Sequence, residues 1–171
     1  ILANGPWAER CSSIISVFDG TDHDFLSNFY PSKCKYQSME FVTVEHGYQA
    51  LKAIPGSMSD DGKTWFEGIR DSETASQSKK LGRKCPLRAD WESIKNFVMM
   101  DLVLSKFTIN KDLAEKLIAT ADSYLIEGTR WHDNCWGICV INNCSRCQSS
   151  QGMNQMGNTL MIVRDIIIEG M

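Results

Sequence analysis

The chain of 171 residues has no apolar run approaching the roughly 20 residues that cross a bilayer, so no membrane partner is expected. It has no basic surplus either. With 18 Lys and Arg against 21 Asp and Glu, the formal net charge is -3, which argues against general polyanion binding. A few local cations can still grip one phosphate or one nucleotide. Internal repeats and low-complexity stretches are missing, and so are several familiar signatures. There is no Gly-rich phosphate loop before a helix, no His-x-Glu with Pro-Cys-x-x-Cys of the nucleobase deaminases, and no Gly-x-Ser-x-Gly elbow.

What is present is ordinary for a globular protein: 43% hydrophobic and 23% charged residues rule out wholesale disorder. The length suits one core, so a single domain over residues 1-171 is expected, its core about 14-168. The 7 cysteines are odd in number and mostly scattered, which fits free thiols in a reducing compartment. The cytoplasm is the expected location.

Alternation and turn signals predict strands over residues 14-18, 124-126 and 137-141. Helical spacing of Phe41, Val44, Tyr48 and Leu51 predicts a helix capped by Ser38 and stopped by Pro55-Gly56. Further helices are expected from about Trp65, from Ser72 to Gly82, from Asp90 through Ser105, over residues 110-119, and over residues 159-168. Residues 142-157 read as a long polar loop. The fold class is α+β, mainly α-helical with a small β-sheet.

Three constellations carry candidate chemistry. On the first predicted helix, Glu45, Gln49 and Lys52 stand at i, i+4 and i+7, so they share a face beside the apolar stripe. A carboxylate and an amine at such an edge are placed for large pKa shifts; a surface ion-pair row has the same spacing. The second, Arg83 with Arg88, Asp90 and Trp91, suits phosphate and a stacked base, or a local Arg88–Asp90 ion pair beside a core Trp91. In the third, Asp133 and Trp136 precede a predicted strand, where loops carry catalytic groups. A fourth set, His132, Cys135, Cys144 and Cys147, has ligand pairs at zinc-knuckle spacing.

In order and spacing, a series of segments resembles the NADAR (YbiA-like) superfamily. They are residues 25-30 (FLSNFY), 44-52 (VEHGYQALK), 81-83 (LGR), 86-92 (PLRADWE), 98-99, 106-107, 125-127 (LIE), 133-137 (DNCWG) and 154-161 (NQMGNTLM). The resemblance covers residues 14-168 and implies a mainly helical fold that hydrolyses N-glycosidic bonds without a cofactor or a metal. Its implied partners are a small ribose-phosphate or ADP-ribose substrate, such as a phosphoribosyl-pyrimidine of riboflavin synthesis or an ADP-ribosylated guanine in nucleic acid. Glu45, Lys52 and Asp133 are then expected to be catalytic, with Lys52 able to form a Schiff base. Arg83 and Arg88 would bind phosphate, and Trp91 and Trp136 would pack on base or ribose. Asn28 and Asn154 would bond hydroxyls, with Phe29, Gln49 and Gly137 completing the pocket. Cys135 stands where an aromatic is commoner in the family, and residues 55-62 and 144-152 look longer than in compact relatives. The rival readings are a non-catalytic ADP-ribose binding module and a zinc-stabilised interaction domain.

Overall fold

A computed structural model describes residues 11-147 and 152-170. In chain order the described elements are β1 (Ile14–Ser16), β2 (Cys34–Tyr36), β3 (Met39–Phe41), α1 (Val44–Leu51), α2 (Trp65–Arg70), α3 (Ala75–Gly82) and α4 (Trp91–Ile109). They continue with α5 (Lys111–Ala119), β4 (Tyr124–Ile126), β5 (Gly128–Thr129), β6 (Ile138–Cys139) and α6 (Gln155–Glu169). The class is α+β and mainly helical, as expected, with the strands in three two-stranded pairs. None of the described helices is long and apolar enough to cross a membrane. Two compact units emerge: Asn28–Lys111, and the described residues before Asn28 together with the described residues after Lys111.

Within Asn28–Lys111 the residues around Ser38 depart from expectation. They form an antiparallel hairpin, Cys34 opposite Phe41, Lys35 opposite Glu40 and Tyr36 opposite Met39. Gln37 supplies the left-handed turn at φ 54°. Phe41, counted in the helical stripe, is instead the inward residue of β3. The helix begins at Val44, where the Thr43 hydroxyl accepts the His46 N–H at 3.1 Å and satisfies an otherwise orphan donor. Val44, Tyr48 and Leu51 keep their helical spacing and are buried. Against this face lies α4, with Val98, Met99, Leu102 and Phe107 inside. A Cβ on Gly47 would fall 2.7 Å from Leu102 Cδ2, so α1 and α4 approach closely only because residue 47 has none. The caps of the next two helices are also threonines, Thr64 with Glu67 in a capping box and Thr74 for α3. Asp90, expected to cap α4, makes no side-chain cap bond.

In the other unit β1 and β4 pair in parallel, Ile15 opposite Leu125, and α6 lies on β4. The predicted strand over 137-141 contracts to β6, which pairs in parallel with the two-residue β5. The last helix starts at Gln155, four residues before the expected Thr159, because Met156 N–H already finds the Trp136 carbonyl at 2.9 Å. Buried Arg164 on α6 donates to Thr120 Oγ1 at 2.8 Å and to the Ser123 carbonyl at 3.0 Å, holding the turn into β4.

Candidate active site

The Glu45 face of α1 is not a surface row. Glu45 is only 5% exposed and Gln49 6%. Gln49 Nε2 donates to Glu45 Oε1 at 2.8 Å, while Gln49 Oε1 is buried without a protein partner. Burial pushes the Glu45 carboxyl above its usual range; the charge of Lys79, the Gln49 hydrogen bond, and the charges of Lys52 and Arg83 oppose this without cancelling it. Lys52, half-buried at the end of α1, moves the other way. Burial lowers it, with Cys85 and Glu45 raising it and Arg83 and Lys79 adding to the fall. The carboxyl and the amine are thus displaced toward each other, the pattern that acid-base work near neutral pH requires.

Lys79 was given no role by the sequence reading. It lies four residues before Arg83, so both rise from one side at the end of α3, a spacing that could have flagged it. Its Nζ stands 5.3 Å from the Phe29 ring centroid, which places Phe29 beside the cations. Asn28 meets α1 through its backbone: its carbonyl accepts the Glu45 N–H at 3.0 Å. Gly82, expected only as a helix stop, has a second reason to be glycine. A Cβ there would lie 2.1 Å from Gln49 Oε1 and 3.0 Å from Gln49 Cβ, so the missing side chain is what lets Gln49 reach Glu45.

His46, also passed over, is 1% exposed. Its Nε2 faces the Ser72 carbonyl at 3.0 Å, which can only accept, so Nε2 carries the proton and Nδ1 accepts from the Thr43 hydroxyl at 2.7 Å. Burial lowers its pKa. This neutral ring ties α1 to the segment before α3.

Arg88 and Trp91 sit as local structure. Arg88 grips Asp90 through two bonds of 2.6 and 2.9 Å. Trp91, 4% exposed, packs edge-on to Tyr48 with centroids 4.9 Å apart. Arg88 also borders an open cavity of about 410 Å³ with Leu51, Phe66, Glu67 and Arg70. Glu45, Gln49 and Lys52 do not line it, and Arg70 at its edge pairs with Asp71 at 2.6 Å. The chemistry and this cavity therefore lie on different flanks of α1.

The remaining expected residues belong to the other unit. Asp133 Oδ1 accepts from the N–H groups of Cys135 at 3.0 Å and Trp136 at 2.9 Å, shaping the β5–β6 connection. Trp136 is half-buried. Gly137 is buried, and a Cβ on it would meet the Glu127 carbonyl at 2.2 Å. Asn154, at φ 51°, donates to the Leu125 carbonyl at 2.8 Å and accepts from Glu127 N–H at 3.1 Å, pinning the start of α6 to β4. The zinc-knuckle set needs one correction. Cys135 is drawn into the Asp133 turn, and it is Cys139 that gathers with His132, Cys144 and Cys147.

A buried carboxyl and a half-buried amine along α1, with the charges of Lys79 and Arg83 from the end of α3 acting on both, make up the candidate site on this α+β scaffold. The chain belongs to the NADAR domain family, whose model matches residues 17–168. It is 36% identical over 144 residues to an N-glycosidase of Nostoc punctiforme, covering 83% of this chain and 84% of that protein. The N-glycosidase YbiA of Escherichia coli is 30% identical over 156 residues, covering 90% and 88%. A riboflavin biosynthesis protein of Vibrio vulnificus is 33% identical over 150 residues, 86% of this chain but only 36% of that longer protein. The NMR structure of E. coli YbiA superposes with a TM-score of 0.73 at 28% identity, over 94% of this chain and 88% of that one.

Proposed function

We propose that the chain is an N-glycosidase that hydrolyses the bond between a phosphorylated or ADP-ribosyl ribose and a nitrogen base or amine. The observation that carries the proposal is Glu45, a buried carboxyl facing Lys52 along one helix and set under the charges of Lys79 and Arg83. As the C1′–N bond breaks, its electron pair leaves with the nitrogen and positive charge builds on the ribose. Ionised Glu45 stabilises that charge and takes a proton from the water that adds to C1′. Lys52, lowered toward neutral, gives its proton to the departing nitrogen. The products are a ribose with a free 1′-hydroxyl and a free base or amine, and the Glu45 proton returns to Lys52 or solvent.

Lys79 and Arg83 hold the phosphate, Arg as a fork and Lys as a point charge. Gln49 Oε1, buried and without a protein donor, accepts from a ribose hydroxyl. The names of the relatives, N-glycosidase and riboflavin biosynthesis protein, support the reaction class, and the second favours an intermediate of riboflavin synthesis as substrate.

A second route is favoured by one observation. Burial keeps a larger share of Lys52 as free amine, the form that attacks a carbonyl. If the ribose ring opens with the nitrogen still attached, that amine adds to C1′ and expels the base or amine, which takes up a proton; water then hydrolyses the resulting Schiff base to free Lys52 and the ribose. Mass spectrometry of mixtures with ADP-ribosylated guanine in DNA, phosphoribosylamino-pyrimidines, NAD and ADP-ribose tests both routes. Release of a free base or amine supports the glycosidase and names the substrate. A borohydride-trapped adduct on Lys52 selects the covalent route. Bound but uncleaved ADP-ribose, with every other compound intact, would leave a binding module.

A further inference from the structure

His132, Cys139, Cys144 and Cys147 come from three separate places: the connection after β5, strand β6, and the turn that follows it. Their ligand atoms nevertheless all lie within 4.8 Å of one another. Three sulfurs surround a single nitrogen. His132 Nδ1 is 3.7 Å from Cys139 Sγ, 3.2 Å from Cys144 Sγ and 3.5 Å from Cys147 Sγ. One ring nitrogen has one proton or one lone pair, so it cannot make three hydrogen bonds in three directions. A tetrahedral zinc ion explains the arrangement directly. With Zn–S near 2.3 Å and Zn–N near 2.05 Å, the ligand nitrogen and each sulfur stand about 3.6 Å apart. The three observed distances bracket that value.

The surroundings fit as well. Cys144-x-x-Cys147 closes as a turn, the Cys147 N–H donating to the Cys144 carbonyl at 3.1 Å. The Asn134 side chain bonds the Cys147 sulfur, and its Oδ1 accepts the Cys139 N–H at 2.9 Å, so one residue supports two of the four ligands. His132 reaches the cluster from a left-handed backbone at φ 66°, a conformation non-glycine residues hold only where their surroundings require it.

We infer that His132, Cys139, Cys144 and Cys147 form a structural Zn²⁺ site. Three thiolates and an imidazole select a soft, tetrahedral ion, and four protein ligands leave no open position for substrate or water. The ion would staple the turn over residues 142-147 to β6 and to the connection after β5, fixing His132 and with it the neighbouring Asp133 turn. The inference does not depend on the glycosidase reading.

The test is metal analysis of the whole chain purified under reducing conditions without chelator, with cobalt substitution as a second readout. About one zinc per chain is expected. Cobalt should give sulfur-to-metal charge transfer and the visible bands of a tetrahedral site. Cys139→Ser should lose most of the metal and of the charge-transfer intensity, whereas Cys135→Ser should keep both. Should Cys139→Ser fail to fold, the metal content and cobalt spectrum of the unaltered chain still decide. Protein without zinc that gives no tetrahedral cobalt spectrum would overturn the assignment. So would a Cys144–Cys147 disulfide in its place, or loss of metal from Cys135→Ser but not from Cys139→Ser.

Discussion

Gly82→Ala puts the smallest possible side chain at the contact between α3 and the Glu45 face. Its Cβ would lie 2.1 Å from Gln49 Oε1, 2.9 Å from Cδ and 3.0 Å from Cβ. Swinging the amide away relieves the first two contacts but not the third, so α1 and α3 must also part by a few tenths of an ångström. Overpacking of this kind costs about 1–3 kcal/mol. The broken 2.8 Å bond to Glu45 adds about 1 kcal/mol. Alanine's better helix propensity offsets up to about 1 kcal/mol, less at a helix end. The net loss is about 1–4 kcal/mol, a fall in Tm of about 2–16 °C for a chain of this size.

The chemistry should change as well. Gln49's donated bond is one of the influences that lower the Glu45 pKa, so its loss lets that pKa rise further. The proposed reaction needs ionised Glu45, and the acid limb of the kcat/KM profile should therefore move to higher pH. Thermal unfolding and a pH–rate profile of both proteins measure the two effects. A Tm unchanged or raised, together with an unmoved acid limb, would refute the reasoning that Gly82 makes room for the Gln49–Glu45 bond.

Further outcomes follow from the same contacts. Glu45→Gln removes a buried charge whose raised pKa means that ionisation opposes folding. The wild type should lose stability as pH rises through the folded pKa, and the variant should be about 0.5–2 kcal/mol more stable above it by urea unfolding. His46, lowered from 6.5 by burial, works in the opposite direction. Its contribution is complete above pH 6.5 and is lost as pH falls toward the folded pKa, since the unfolded ring takes up a proton first. Wild-type stability should therefore fall by at most about 1.4 kcal/mol per pH unit more steeply than that of His46→Gln in this window. Asp133→Ala, which strips the acceptor from two backbone donors, should cost about 1–3 kcal/mol in denaturant unfolding; Asp133→Asn, retaining an acceptor, should stay within about 1 kcal/mol of wild type.

Much of the helical framework was legible because it rests on local patterns. Val44, Tyr48 and Leu51 are buried where their spacing put them, and the glycine and proline stops fall near real helix ends. The hairpin at Ser38 was not legible. Phe41 fits a helical stripe and a strand equally well, and the decisive feature is the left-handed turn at Gln37, which no residue preference announces.

For the candidate site, the i, i+4, i+7 spacing correctly put Glu45, Gln49 and Lys52 on one face, but depth of burial is a tertiary fact that spacing does not contain. Lys79 and Gly82 became visible only through what packs against them. The metal ligands make the same point. Knuckle spacing identifies Cys144 and Cys147, whereas the choice between Cys135 and Cys139 depends on the Asp133 turn, which takes the nearer cysteine away.

The most direct test of the central claim compares wild type and Glu45→Gln on whichever compound releases a base, measuring single-turnover cleavage beside equilibrium binding. The account predicts that the variant binds within a few-fold of wild type and cleaves about 10²–10⁴ times more slowly. Equal cleavage by both proteins would contradict a catalytic Glu45.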